Sequence, residues 1–300
     1  KQYTKDIHIC GNRNSFSKTD HDATFMHMKE DYMRNGQLKP GYNVNVATCS
    51  DFIIGSYISS DRNDVHTLIP FMEQLRKNYA GRNIGSVVVD SGYESEENYC
   101  WFEAHPETEL YVKPSNHEAA KHRKYRTDIS RRENMAYDAQ TDTYTCANGK
   151  LLQRTREKKT HTASGLEIAT SVYECNECDG CPLKEKCIRA CGSKKPLEER
   201  YKVIYVSKRF ARQRQAMEAK ISSPKGCLLR VNRSIQAEGN FAYVKQDLDF
   251  RRFLLRGNMK VAAEWLLFSL ALNILHLHHK IQNRRLGSDL KIPSSFPAGL

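Results

Sequence analysis

The sequence predicts an α/β protein interrupted by a polar, cysteine-rich insertion, and three observations carry that expectation. Residues 42–113 carry strand and helix signals in the order β-β-α-β-α-β. Residues 114–200 become polar, basic and cysteine-rich, with few apolar runs. Beyond Tyr201 the pattern is helical to about Asn283. Strands alternating with helices imply a mixed sheet flanked by helices, with ligands outside the strand ends. At 300 residues, 39% hydrophobic and 27% charged, the chain is long enough for one large domain or two modest ones.

Element by element, residues 1–41 read as an irregular, polar N-terminal segment. The runs YNVNVATCS (42–50) and FIIGSYIS (52–59) form a hairpin turning at Ser50-Asp51. In the first run Tyr42, Val44 and Val46 alternate with Asn43 and Asn45, the period of a half-buried strand. DVHTLIPFMEQLRKNY (64–79) is an amphipathic helix, with Asp64 as its N-cap and Leu68, Phe71, Met72 and Leu75 on its apolar face. GSVVVD (85–90) reads as a fully buried strand, ESEENYCWFEAHP (94–106) as a short helix stopped by Pro106, and ELYVKP (109–114) as a further strand. Short strands are expected in the insertion at TYTCANGKLLQRT and SVYEC. The insertion spans 114–200, a helical C-terminal part of the core spans 201–286, and 287–300 has loop composition.

The charge balance, 47 Lys and Arg against 35 Asp and Glu for a net +12, favours a polyanionic partner over a neutral or acidic one. The cations cluster. Lys208, Arg209, Arg212, Arg214, Lys220, Lys225, Arg230 and Arg233 face only Glu218 between Ser207 and Arg233, and a second cluster lies between Lys113 and Arg132. Several cations along one track are what counterion release from nucleic acid needs. No signal peptide precedes the first elements, and the most apolar stretch (261–277) carries Glu264, Ser269, Asn273 and His276, which reads as a buried helix rather than a membrane span. A cytoplasmic, reducing location is therefore expected.

Two acids stand out. Asp90 ends an apolar strand and is followed by Ser-Gly-Tyr, a position suited to a metal ligand or general base, or to capping the helix near Glu94. Glu238 lies in NRSIQAEGNFAYVKQDLDFRRFLLRG, with Lys245 seven residues later on the same face of a regular helix and Arg233 five residues earlier. A surface ion pair is the simpler reading of that second group.

Taken together, KPGYNVNVAT, NDVHTLIPFMEQL, VVVDSGYESEENY, YECNECDGCPLKEKC and RSIQAEGNFAYVKQDLDFRRFLLRG closely resemble bacterial insertion-sequence transposases of the DDE class, over about 14–283. The resemblance implies an RNase H-like catalytic fold. It also implies Mg²⁺ (or Mn²⁺) held by three carboxylates, with strand cleavage at transposon ends and strand transfer without a covalent protein–DNA intermediate. Its partners would be double-stranded DNA and a second copy in a homodimeric synaptic complex at the nucleoid. Carried over by motif, Asp90 is the second acid and Glu238 the third. Arg233 and Lys245 hold DNA near the cut, and Arg252 and Arg256, with Arg251, are phosphate contacts or helix-packing residues. The helix signature usually has its Arg four residues before the Glu; here Ser234 occupies that place. No strand in 1–41 offers the first acid; Asp20 and Asp22 are the acids nearest the required place. With Lys rather than Met at position 1, the chain is expected to be a C-terminal piece lacking that acid. A catalytically inactive, zinc-stapled DNA-binding relic is the alternative.

Cys175, Cys178, Cys181 and Cys187 have the spacing of a structural Zn²⁺ knuckle, with Cys191 competing for the fourth place. Free thiols, disulfides and an Fe–S cluster are the other readings. The knuckle would staple a segment with little apolar core. Three histidines in HLHHK (276–280) read as cations at a helix end. Tyr93 reads as packing under its loop, and Trp101 and Trp265 read as core residues.

Overall fold

The computed structural model describes residues 2–28, 35–189, 195–287 and 290–291. It is an α/β protein of two compact units, Lys1–Lys113 with Ala219–Leu300, and Pro114–Glu218. Of the expected tail, 288–289 and 292–300 lie outside the described residues.

The first unit opens with helix α1 (Gln2–Cys10) and a short antiparallel pair, β1 (Thr24–Met26) and β2 (Lys39–Gly41), where an irregular segment was expected. The next two strands, β3 (Asn43–Cys49) and β4 (Phe52–Ser59), form the expected hairpin. Its two-residue turn puts both Ser50 and Asp51 at positive φ, 53° and 73°, the geometry that follows the natural twist of paired strands. A 3₁₀ turn, Asp64–His66, leads into α2 (Leu68–Asn78), which buries Leu68, Phe71, Met72 and Leu75. Asp64 is not the N-cap; its side chain turns to Asn43 instead.

Strand β5 (Ser86–Val89) runs parallel to β6 (Glu109–Val112) across α3 (Glu96–Glu103). Ser95 caps α3 by accepting the Asn98 N–H at 3.0 Å. Val87, Val88 and Val89 are only half-buried, so β5 is not the fully buried strand that its composition predicts. Among the described residues, β3–β4 and β5–β6 are separate two-stranded sheets rather than one mixed sheet, because no strand hydrogen-bonds to both.

The second unit holds α4 (Arg123–Arg126), β7 (Ala136–Asp138), β8 (Thr143–Thr145), β9 (Leu151–His161), β10 (Glu167–Cys175), α5 (Lys184–Cys187), β11 (Lys202–Val206) and all but the last turn of α6 (Lys208–Ser222). Its five strands form one antiparallel sheet in the order β11-β10-β9-β8-β7. The helical pattern expected from Tyr201 therefore starts later, since Lys202–Val206 pairs along β10. Contrary to the expectation of little core, Leu152, Tyr173, Cys175, Ile204 and Val206 form a buried cluster. Single inward residues on alternating strand positions build it without any apolar run.

The chain returns to the first unit with α7 (Pro224–Arg233), α8 (Gly239–Ala242) and α9 (Asn258–Gln282). Two π turns, Ser234–Glu238 and Tyr243–Asp247, flank α8 and continue α7 into one helix from 224 to 247. Residues 248–257 are a loop, with Asp249 and Gly257 at positive φ. Helix α9 packs on β4: Asn273 accepts the Ile53 N–H and donates to the Ile53 carbonyl, both at 2.8 Å. Trp265 and Leu272 join Ile53 and Val244 in the core, while Trp101 is half-buried and stacks on His105. By length and composition alone α9 could cross a membrane. It is not the buried helix expected, because Met259, Leu266, Leu270, Ile274, Leu277 and Ile281 are exposed.

The turn into α7 admits only glycine at 226. A Cβ there would lie 2.8 Å from the Ile221 Cα and closer still to the Lys220 carbonyl oxygen, both backbone atoms. Gly226→Ala is expected to lower stability by about 1–3 kcal/mol. An unchanged thermal midpoint would contradict that close packing.

Candidate active site

Asp90 follows directly on β5. The parallel register pairs Val89 with Val112, so Asp90 and Lys113 leave their strands side by side. The Asp90 carboxylate caps the 3₁₀ turn Ser91–Tyr93, accepting the Ser91 N–H and, at 3.1 Å, the Ser91 hydroxyl. Although Asp90 reaches solvent, partial desolvation pushes its carboxyl up. The two Ser91 hydrogen bonds, then Arg233 and Lys113, outweigh that effect, and the net position is below the usual carboxylate range.

The loop after Asp90 is held from behind by the polar face of β3. Asn45, 2% exposed, accepts the Tyr93 hydroxyl at 2.5 Å and the Thr67 hydroxyl at 2.8 Å. Asn43 donates to the Asp64 carboxylate at 2.7 Å. A Cβ on Gly92 would sit 2.9 Å from the other Asp64 oxygen, so the loop's close approach needs glycine. Tyr93 packs beneath the loop as expected; burial, then the charges of Asp64 and Asp90, push its phenol up. The asparagines read in the sequence as the solvent side of β3 are thus inward supports. The alternating Asn at 43 and 45 was their only signal.

Glu238 closes the first π turn. Arg233 pairs with one of its oxygens at 2.8 Å and the Ser234 hydroxyl donates to the other at 2.9 Å. In a π turn residues five apart align, as residues four apart do in an α-helix. The turn therefore absorbs the one-residue displacement of Arg233 and still brings it onto Glu238. The same guanidinium lies close enough to Asp90 to stabilise its charge. Arg233 is thus paired with Glu238 and acts on Asp90 through its charge.

Lys245 falls in the second π turn, so regular α spacing no longer places it directly over Glu238. Arg252 and Arg256 are exposed on the 248–257 loop rather than on a helix. Buried Glu264 holds that loop, accepting the Leu254 N–H at 3.0 Å and the Leu255 N–H at 3.0 Å. Arg251 pairs with Asp249 at 2.7 Å. Asp20 accepts the Tyr42 hydroxyl at 2.6 Å and the Gly257 N–H at 3.2 Å, and Asp22 accepts the Asn258 N–H at 2.8 Å. Both acids nearest the place of the first carboxylate therefore serve the start of α9. His276 bonds Asn240 at 2.8 Å, and burial lowers its pKa.

Residues 145–278 match the family model of the transposase DDE domain. Over that segment, a little under half of the chain, the sequence is similar to DDE transposases. No curated protein and no solved structure matches it. The matched segment contains Glu238, Lys245, Arg252, Arg256 and the cysteine run; Asp90 precedes it.

Among the described residues, no group of three or more His, Cys, Asp or Glu side chains is arranged to hold a metal ion. Asp90 and Glu238 are carboxylate donors of the type a hard divalent cation takes, one or two at a time, completing its shell with water and phosphate. A two-ion site needs a further acid. In the second unit Cys175, Cys178, Cys181 and Cys187 line one cavity of about 20 Å³, as does Cys146, which spacing had not singled out. Cys191 lies outside the described residues.

Arg233→Met removes the cation shared by the two acids, and the Asp90 carboxyl is expected to titrate higher, read by carbon NMR of labelled aspartate. The sign follows from the lowered native value. Asp90 contributes stability above its ordinary pKa, and that contribution is lost as pH falls through the depressed one. In the variant the acid-side loss should shrink. An Asp90 titration unaltered by the substitution would contradict the arrangement.

Proposed function

We propose that this chain is the catalytic region of a DDE transposase, built on an RNase H-like core, that cuts DNA and joins strands with Mg²⁺ or Mn²⁺. The observation that carries the reading is one guanidinium, Arg233, serving both the strand-end acid and the helix acid. The hairpin β3–β4, the parallel pair β5–β6 and the acid directly after β5 support the fold assignment. Asp90 is held as a carboxylate at neutral pH and Glu238 is oriented by Ser234, so both present oxygens ready for a hard cation. A divalent cation bound there supplies activation of water or a 3′-OH and stabilisation of the leaving oxygen. Arg233, once Glu238 turns to the cation, is free to meet a phosphate, with Lys245, Arg252 and Arg256 along the backbone. The third carboxylate of the family's site is assigned to no described residue.

In the same proposal the cysteines of the second unit hold a structural Zn²⁺, and the protein acts on double-stranded DNA as a cytoplasmic homodimer. A second reading, a zinc-stapled DNA-binding relic, is favoured by the two-acid site and by the Arg233–Glu238 pair, which occupies one of its carboxylates.

Cleavage of end-labelled DNA decides between them. The enzyme reading expects nicking that requires Mg²⁺ or Mn²⁺ and is lost in Asp90→Ala and in Glu238→Ala. Activity surviving both substitutions removes the DDE assignment. Binding that weakens steeply with salt, without any cutting, selects the relic.

A further inference from the structure

We propose that Cys146, outside the closely spaced cysteine run, is a ligand of the structural metal site. The inference rests on the Zn²⁺ reading above and changes which segments the metal ties together.

Cys146 begins the tight turn between β8 and β9. Its N–H bonds the Lys150 carbonyl and its own carbonyl accepts the Gly149 N–H, both at 2.9 Å, with Gly149 at φ +73°. That turn opens onto the same small cavity as Cys175, Cys178, Cys181 and Cys187. A space of about 20 Å³ admits a single atom-sized occupant. Five soft donors around such a space fit a thiophilic divalent ion and no hard one.

Two further contacts aim the surroundings at sulfur. Asn148, in the same turn, donates to the Cys181 Sγ at 3.5 Å, and the Lys202 backbone N–H donates to the Cys178 Sγ at 3.4 Å. N–H groups directed at sulfur are the outer-shell support that ligating thiolates require. Lys150, Lys184 and Lys202 also line the cavity. Lys202 is fixed there by the Ser130 carbonyl at 2.6 Å and the Cys187 carbonyl at 3.0 Å. Four thiolates around a dication leave two net negative charges, and the Lys202 ammonium offsets part of them, while Lys150 is paired with Glu177 at 2.6 Å.

The sulfurs do not yet form a ready ligand group, so the ion has to draw the turn and the run together. With Cys146 as a ligand, the metal clamps the β8–β9 turn to the segment between β10 and β11. It then closes the far end of the five-stranded sheet instead of stapling a single loop. One cysteine of the run is left over from a four-coordinate site.

The test is metal content and Co²⁺ absorption of the full chain. Wild type is expected to hold one zinc, and Co²⁺ in its place should show a four-thiolate spectrum. Cys146→Ser should weaken zinc binding at least tenfold, since losing even an outer-shell partner costs about 10–100-fold. Cys146→His should keep one metal with a weaker thiolate-to-cobalt band. A purely structural cysteine would be neither rescued by histidine nor visible in that band. Where Cys146→Ser fails to fold, the Cys146 ¹³Cβ resonance of the wild-type chain reports instead, and it should move on zinc addition. Cys100→Ser is the control and should change nothing. Wild type without zinc sinks the metal reading itself. One zinc in wild type together with an unaltered cobalt spectrum in Cys146→Ser, or an unmoved Cys146 resonance, overturns this inference alone.

Discussion

Arg233 is the cation on which the arrangement of the first unit turns. Asp90 and Glu238 both draw on this one guanidinium, and a neighbouring positive charge favours the ionised form of a carboxylate. Arg233 supplies that charge through a 2.8 Å contact to Glu238 and an attraction felt at Asp90. A guanidinium stays charged at any physiological pH, so its attraction for the Asp90 carboxylate persists across that range. Under the proposed function it holds the place that a divalent cation and a phosphate would take.

Three pieces of backbone deliver these groups. The parallel β5–β6 register sets Lys113 beside Asp90. The π turn Ser234–Glu238 sets Arg233 under Glu238. The Asn43–Asn45 face of β3 fixes the loop after Asp90 through Asp64, Thr67 and Tyr93. Each is a local departure from the plainest structure, namely an acid after a valine run, an inserted helical residue and buried amides on a strand. Local rules are broken where the chemistry is placed.

What the sequence disclosed follows the range of the forces involved. The hairpin 42–59, α2, α3 and the strands β5 and β6 were legible, because period and turn chemistry are local, while the cap expected at Asp64 was not found. Asn45 was misread because alternation says which face a residue occupies, not which face is buried. The Arg233–Glu238 pair was legible as a surface ion pair, whereas the π turn that aligns residues five apart leaves no trace in residue spacing. Asp20 and Asp22 looked like loop acids in search of a role, and only their hydrogen bonds to Gly257 and Asn258 reveal one. The core of the second unit escaped notice because Leu152, Tyr173, Ile204 and Val206 come from three strands far apart in the chain. Cys146 was missed for the same reason, since motif spacing reads one segment at a time.

Under the proposed function the two units also separate two kinds of metal chemistry. Hard carboxylates stand in the first and soft thiols in the second, and the family match spans part of both. The most direct measurement of the central claim is anomalous diffraction from crystals of the chain bound to a DNA end and soaked in Mn²⁺. The account predicts a manganese peak bonded to both Asp90 and Glu238, with Arg233 swung from Glu238 onto a phosphate. A crystal that binds manganese elsewhere while the Arg233–Glu238 pair stays closed would contradict it.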